Sequence, residues 1–558
     1  MLLAELVATS TAVAATRSRK AKVAALAELL GRVGADELEV VVSYLGGALR
    51  QRRTGLGWRG VSDLPAPADH ASLTVLEVDV AFEAMSRLAG AGSQLARKEA
   101  VAELFGRATA AEQAWLRAIV TGNVRQGALD AVTQEAVAQV ADVPLAAVRR
   151  AAMLAGSTVA AAGAAFAGEE ALAAIVLEVG RPVMPMLASS APDVAAAMAG
   201  LSPDGETDVA IDAKLDGIRI QVHRDGDEVL VVTRSLDDIT GRLPEVVGVA
   251  RSLPAERFVL DGEALALSDD GRPLAFQDTA SRTAQDSAKD GLRAVTPYFF
   301  DLLHVDGHDL LDSPGRERLA ALDALVPEQH RVRRLVTSDP GAADAFAAET
   351  VAAGHEGVVL KDLSAPYAAG RRGSAWVKVK PRHTLDLVVL AVEWGSGRRE
   401  GWLSNIHLGA RDESSETGFV MLGKTFKGMT DEMLAWQTER FTELAVSPGS
   451  VRDSYVVEVR PLQVVEIAFD GLQRSTRYPG GVALRFARVL RYRDDKGPHE
   501  ADTIETVRSH VTAGAAPAAL SSVARPDDSP PRAGRRSGRR PGSRAATTSA
   551  GRSSCGGA

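Results

Sequence analysis

In the run Val209-Ala-Ile-Asp-Ala-Lys-Leu-Asp-Gly217, apolar and polar residues alternate from Ile211 on. At the two-residue period of a strand, Asp212, Lys214 and Asp216 share one face, and Val209, Ile211, Ala213 and Leu215 share the other. A lysine between two carboxylates is a candidate nucleophile or phosphate ligand. Lysines are scarce here, 11 against 53 arginines, so composition does not readily supply one by chance. The plain alternative, a solvated lysine on an exposed strand face, is not separated from this by alternation alone. Gly217 closes the strand and Arg219 follows. Ile218, Ile220 and Val222 alternate again before Asp225-Gly226-Asp227 turns the chain into Val229 to Arg234, a hairpin signal.

Two later segments repeat this construction. In Phe258-Val-Leu-Asp-Gly-Glu-Ala264, Asp261 and Glu263 share a face, and in Trp376-Val-Lys-Val-Lys380, Lys378 and Lys380 do. Like charges about 7 Å apart repel, which is tolerated when a cation bridges the carboxylates or an anion bridges the lysines. Glu356-Gly-Val-Val-Leu-Lys361 opens another strand on a carboxylate. Paired carboxylates and paired lysines around a single lysine suit a metal-bound polyphosphate.

Lys214-Leu-Asp-Gly-Ile-Arg219 resembles the KxDGxR nucleophile motif of the covalent nucleotidyltransferases, which comprise DNA ligases, RNA ligases and mRNA capping enzymes. The other motifs of that superfamily follow in order. They are Asp261-Gly-Glu263, Tyr298-Phe-Phe-Asp301, Glu356-Gly-Val-Val359, Trp376-Val-Lys-Val-Lys380 and Arg485-Phe-Ala-Arg-Val-Leu-Arg-Tyr-Arg-Asp-Asp-Lys496. Six ordered matches make coincidence negligible. Residues 1 to about 510 resemble an ATP-dependent DNA ligase of the actinobacterial ligase B type, and the Arg- and Ala-rich composition fits a high-GC genome.

The resemblance implies roles residue by residue. Lys214 is the catalytic nucleophile, forming a lysyl-AMP phosphoramidate with ATP. Asp212 stands where many relatives have Glu touching the adenine amino group, with one methylene less reach. Arg219 and Arg234 contact ribose and phosphates or the 5′-phosphate of the nick, Glu263 the ribose hydroxyl, and Phe300 stacks on adenine. Asp261 and Glu356 hold a divalent metal, Mg2+ or Mn2+, and Lys378 and Lys380 hold the α-phosphate. In the last motif, Arg485, Arg488, Arg491, Arg493 and Lys496 are expected to neutralise and orient the departing pyrophosphate, Arg485 and Arg491 as members of the nucleotide site.

Elementary chemistry agrees with such a site. A lysine attacks only when deprotonated, so its ordinary pKa near about 10.4 is expected to be depressed by a metal ion, Lys378, Lys380 and Arg219. Displacement at phosphorus asks mainly for positioning and charge neutralisation. The last motif lies over 100 residues beyond the lysines, on a different part of the chain, and must swing in.

The elements that position these residues are legible in outline. At 558 residues the chain is long enough for three to four domains, and 46% hydrophobic with 24% charged residues excludes a fully disordered, collagenous or membrane-embedded protein. Residues 1–180 carry helical periodicity, for example Lys22 to Leu30, Glu37 to Leu49 and Asp130 to Met153. Two prolines in Gly180-Arg-Pro-Val-Met-Pro185 break it, strand patterns run on to about Lys380, and a second strand-rich stretch surrounds a helix near Asp431 to Leu444. With the resemblance, the expected fold is multidomain: an all-α DNA-binding domain (1–180), an α+β, ATP-grasp-like nucleotidyltransferase domain (181–382), a β OB-fold domain (383–511) and a disordered basic tail (512–558). Gly418-Phe-Val-Met-Leu-Gly-Lys-Thr425 matches a phosphate-loop pattern by letter, but its middle is strand-like and Gly428 interrupts any following helix. An OB-fold strand and turn is expected there, with Lys424 and Lys427 facing DNA backbone.

Charge is distributed unevenly. The net charge is −8, yet the tail after His510-Val511 carries eight arginines against two aspartates, leaving −14 on the rest. The tail is either solubilising or a weak phosphate tether; composition does not separate the two. Arg50, Arg52 and Arg53 before Gly55-Leu-Gly-Trp58, and Arg125 in a glycine-flanked turn, are either solvated helix ends or DNA phosphate contacts. A single cysteine, Cys555, excludes a cysteine zinc site and an internal disulfide, and disfavours the NAD-dependent bacterial ligases, whose zinc module needs four. The apolar N-terminus has its cations after the apolar stretch, the wrong order for a secretory signal, and Met153 to Gly168 is too short and polar to span a bilayer. A cytoplasmic, nucleoid-associated monomer without membrane contact is expected, acting on nicked duplex DNA in repair, replication or recombination. RNA ligases and capping enzymes share the core motifs but need no 180-residue helical region, and a DNA-binding scaffold with a dead transferase core would not need Lys214, Glu356 and Lys378.

Overall fold

The computed structural model describes residues 1–510 apart from Arg52, Arg125, Ala128, Ala275, 285–293, 369–371 and 397–398. Arg52, Arg125 and the arginine-rich tail with Cys555 therefore lie outside the described residues.

Helices fill the first third of the chain, from Leu3–Ala15 to Glu169–Ala173. Their starts are encoded locally: Thr74 and Thr109 each accept the amide of a glutamate three residues on, Glu77 and Glu112, whose carboxylates reach back to the threonine amides. One apolar cluster, reaching from Leu3 to Leu172, holds these helices together. The expected single helix over Asp130 to Met153 is two, Leu129–Ala141 and Leu145–Leu154. Asp142 at φ 51° and Pro144 break it between them. The helix expected to run to Leu49 stops at Leu45, before Gly46 and Gly47, the latter at φ 76°.

From Leu187 the chain builds two five-stranded sheets. The first has the order β1 (Leu187–Ser190), β10 (Arg372–Val379), β9 (Gly357–Asp362), β2 (Val209–Lys214), β8 (Arg334–Thr337). The second runs β4 (Glu228–Thr233), β3 (Ile218–Asp225), β5 (Arg257–Ala266), β6 (Val295–Val305), β7 (His308–Asp309). Helices Val194–Leu201 and Pro340–Ala352 cover one face of the first sheet through Val209, Ile211, Val358 and Leu360. Its other face is left for Asp212, Lys214, Val359, Lys361, Trp376 and Lys378. Beyond Lys380 the order is β13 (Phe419–Thr425), β12 (Leu403–Arg411), β11 (His383–Trp394), β15 (Val464–Phe469), β18 (Arg488–Tyr492), with β14 (Val456–Glu458) on β11. The helix Asp431–Leu444 and a two-stranded hairpin, β16 (Gly471–Arg474) and β17 (Val482–Arg485), complete this part. The phosphate-loop lookalike is strand β13, with Lys424 opposite His407. No helix among the described residues is long and apolar enough to cross a membrane.

The helical part is not merely tethered to the sheets. Met153, Leu154 and Leu177 share a core with Val183, Val259, Leu303, Tyr367 and Trp376. A polar clasp holds the connection. Gln221 exchanges hydrogen bonds with the amide (2.8 Å) and carbonyl (3.2 Å) of Val183, and His223 accepts the Gly180 amide at Nδ1 (3.1 Å) while Nε2 donates to Gln221 (2.8 Å). Burial, with a smaller contribution from His304, pushes the His223 pKa down to about 4. The depressed value means that this stabilisation is complete above about pH 6.5 and is lost as pH falls toward 4, by up to about 3 kcal/mol. Urea unfolding at pH 7 and 4.5 is therefore expected to show a smaller acid loss for His223→Gln than for the unaltered chain; equal losses would reject the assignment.

Candidate active site

Lys214 ends β2 opposite Gly357 at the start of β9, and Val358 lies opposite Val379 at the end of β10. This register gathers Lys214, Glu356 and Lys380 at one edge of the sheet. Two glycines make the approach possible. A Cβ on Gly357 would lie 2.2 Å from the Val379 carbonyl oxygen, and one on Gly217 would lie 2.3 Å from that of Ala264. The glycines of both motifs are thus sites of close backbone approach.

The resulting cleft has a volume of about 770 Å³. At one end Glu356 accepts Lys214 on one carboxylate oxygen and Lys380 on the other. Burial acts to lower the Lys214 pKa, but Glu356, Glu263 and Asp216 outweigh it and hold the ammonium above its ordinary value. Three carboxylates, rather than Lys378 or Arg219, are the charges that dominate at this lysine. Glu263 accepts the Gly217 amide at 3.0 Å, and burial raises its pKa against the pull of Lys214. Lys378 and Arg234 also line the cleft, Arg234 exposed at its mouth.

At the other end Phe300 and Trp376 meet edge to face, centroids 6.0 Å apart, with the Lys361 ammonium 4.8 and 4.4 Å from the two rings. Asp212 is buried there, its oxygens taken by Arg334 (Nη2 3.2 Å, and Nε) and by Lys361 (2.6 Å). Burial would raise its pKa, yet the two cations hold the carboxyl below the usual range. Trp376, Lys361 and Arg334 were not singled out from sequence. The first two fall on the cleft face of their strands by simple alternation, whereas Arg334 carries no local signal.

Asp261 does not take the expected metal-binding position. It is 1% exposed, receives Arg219 at 3.0 and 2.6 Å and the Tyr367 hydroxyl at 2.8 Å, and lines a separate small cavity. The β3–β5 ladder is regular past both carboxylates, so strand position does not separate Asp261 from Glu263; the difference is that the Asp261 oxygens are taken by Arg219 and Tyr367. Arg219 is correspondingly committed, its third nitrogen donating to the Met186 carbonyl at 2.7 Å. Removing one member of a buried pair costs about 3–5 kcal/mol. Asp261→Ala is expected to lose that much stability in urea unfolding. A variant of unchanged stability with a weakened divalent-metal requirement would restore the metal role.

The C-terminal strands close the cleft with Lys427, Asp470, Phe486 and Arg488. Arg485 reaches across to Asp216 at 2.6 Å. Arg491 does not line the cleft: it pairs with Glu466 at 2.6 Å on an exposed surface, while Arg493 and Lys496 bind Asp386. Phe486, at φ 56°, and a bulge in the β15–β18 ladder interrupt the alternation, so the basic residues of this motif do not share a face. Lys424 is also committed, to Glu393, which His407 joins at 3.0 Å. Its expected exposure to DNA is corrected, whereas Lys427 is exposed at the cleft mouth. In the helical part Arg50 is bound by Asp79 and approaches Glu39 at 3.7 Å, and Arg53 is exposed.

A lysine at a strand end, cationic neighbours around one carboxylate, an aromatic slot and a second set of strands closing over it define a covalent nucleotidyltransferase. Family models agree over three segments: a DNA ligase N terminus at residues 61–138, an ATP dependent DNA ligase domain at 185–380 and an ATP dependent DNA ligase C terminal region at 399–496. The chain is 68% identical over 516 residues to a probable DNA ligase of Nocardioides sp., covering 92% of this chain and 99% of that protein. It is 66% identical over 511 residues to a probable DNA ligase of Kineococcus radiotolerans, covering 91% and 99%. The solved structure named Pmar-Lig_PreS3 shares the fold, with a TM-score of 0.56 at 18% identity over 88% of this chain and 99% of that one. The chain belongs to the ATP-dependent DNA ligase family.

Proposed function

We infer that the chain seals 5′-phosphate/3′-hydroxyl nicks in duplex DNA with ATP. The Lys214 nitrogen attacks the α-phosphorus, the bond to pyrophosphate breaks, and a lysyl-AMP phosphoramidate forms. The nick 5′-phosphate then displaces Lys214 and carries the AMP. The 3′-hydroxyl attacks the phosphorus of that 5′-phosphate, the bond to AMP breaks, and the phosphodiester closes as AMP leaves. The observation that supports this most strongly is Lys214 ending its strand inside a cleft with an aromatic slot at one end and Glu356 and Lys380 at the other.

Each remaining residue has a task suited to its chemistry. Phe300 and Trp376 offer apolar surface to a purine, and Asp212, fixed by Arg334 and Lys361, offers it an acceptor. Lys378 and Lys380 neutralise phosphate charge, and Glu263 meets a ribose hydroxyl. Lys214 attacks only after its ammonium leaves Glu356 and loses a proton. Glu356, a hard oxygen donor at the phosphate end of the cleft beside Lys214 and Lys380, suits a Mg2+ or Mn2+ ion that substrate phosphates would help to hold. That ion would neutralise phosphate charge.

In this reading residues 1–180 grip the duplex, 181–382 carry adenylyl transfer, 383–511 form an OB-fold that closes over the nucleotide, and the enzyme works in the cytoplasm at the nucleoid. The test is a gel assay of nicked duplex with ATP, NAD or GTP supplied separately. Sealing with ATP alone is expected, and absence of sealing with ATP rejects the function.

A further inference from the structure

The part of the chain beyond Lys380 shares no apolar cluster with the rest among the described residues: its cores run from Leu385 to Val507, and those before it end at Val379. What holds the two together over the cleft is polar. Arg485 binds Asp216 at 2.6 Å, and Lys380 approaches Asp470 at 3.9 Å. Both contacts are at the site already described.

A third contact is not. Gln277, on the helix Phe276–Ala284, donates to the Arg474 carbonyl at 3.1 Å and accepts the Arg474 amide at 3.2 Å. The Arg474 guanidinium completes the grip on Asp278 at 2.6 Å. Arg474 ends β16, whose sole ladder partner among the described residues is β17, so its outward amide and carbonyl are an open strand edge. The Gln277 side-chain amide occupies that edge as a neighbouring strand would. Register puts Gly471 opposite Arg485 and Arg474 opposite Val482, so Arg474 and Arg485 stand at opposite ends of one hairpin. A hairpin held at one end by Arg485 and Asp216 can pivot; held at both ends, its orientation over Lys214 is fixed.

We propose that Arg474, Gln277 and Asp278 form a latch that positions Arg485 for lysine adenylylation and takes no part in the last, phosphodiester-forming step. The proposal rests on the reading of Lys214 as the adenylylated lysine. Arg474 is 62% and Asp278 36% exposed, so the pair is weak and reversible, as a contact must be if it is to open for DNA. Arg474, Gln277 and Asp278 do not themselves line the nucleotide cleft; they act through the hairpin and through the neighbouring Phe276, whose ring lies 5.1 Å from the Arg485 guanidinium.

The test uses the full chain with Arg474→Glu, Asp278→Arg, the double exchange of both, and Gln277→Ala. Single-turnover labelling by α-labelled ATP and closure of a pre-adenylylated nick are measured side by side. Each single charge variant is expected to slow labelling about three- to fivefold at saturating ATP. The KM for ATP and the closure rate stay unchanged. Gln277→Ala slows labelling less, and the double exchange restores most of the rate. Rising salt slows labelling of the unaltered chain more than that of Arg474→Glu, where it screens a repulsion between the introduced carboxylate and Asp278 instead of an attraction. Unaltered labelling in Arg474→Glu, equal loss of both steps, or no recovery in the double exchange would overturn the latch alone. Failure of the unaltered chain to label would instead overturn the reading of Lys214, and the latch with it.

Discussion

Replacement of Lys214 by alanine or arginine is expected to abolish labelling of the protein by α-labelled ATP, with no comparable loss of stability. Alanine removes the nitrogen that forms the phosphoramidate, and arginine keeps the charge but is effectively never deprotonated. Lys214 faces the cleft and Glu356 is its principal partner, so removing it leaves that carboxylate with Lys380 rather than bare. Closure of a pre-adenylylated nick needs no nucleophilic lysine and is expected to persist in part. The measurement is a labelled band on a denaturing gel beside a thermal unfolding curve. A labelled Lys214→Ala protein would transfer the nucleophile's role elsewhere; loss of label together with collapse of the melting transition would make the residue structural.

The parts of this site that were legible from sequence are those that a two-residue period controls. Lys214, Lys378, Lys380 and Glu356 sit at or beside the ends of adjacent strands, and alternation alone puts the lysines on one face. Legibility fails where a partner is distant or a ladder is irregular. Asp261 keeps its place on the strand, but its oxygens go to Arg219 and to Tyr367, 106 residues further on, a partnership no local pattern reveals. Phe486 at positive φ resets the phase of the last motif, so that Arg485 and Arg488 are at the cleft and Arg491 is not. Lys424 looked available because its partner Glu393 stands on another strand, 31 residues earlier. Helices behave similarly. Their threonine caps and apolar periods are local, but Asp142 and Pro144 divide what periodicity alone joins.

The chain's three-part pattern also suggests that residues 1–180 can be removed without disturbing the transferase, and here the shared core changes the expected result. Met153, Leu154 and Leu177 are almost fully buried against the wall that carries Trp376 and Tyr367. Re-exposing their contact surface costs roughly 5 kcal/mol, at about 1.5–3 kcal/mol for each side chain. That is a large part of the stability of a typical domain, about 5–15 kcal/mol. A fragment spanning 181–511 is therefore expected to melt roughly 10–20 °C below the full chain. It should still label with ATP well below its own midpoint, because every adenylylation motif is retained. Its affinity for a nick should fall strongly, with a flatter dependence of log affinity on log salt, since each lost phosphate contact removes a slope of about 0.9. Met153→Ala in the full chain separates the two effects: it should lower the midpoint while leaving nick binding and its salt slope intact. A fragment 181–511 with the full chain's midpoint would show the shared core to be energetically idle. One that bound nicks at full strength would show that the helical part does not hold DNA.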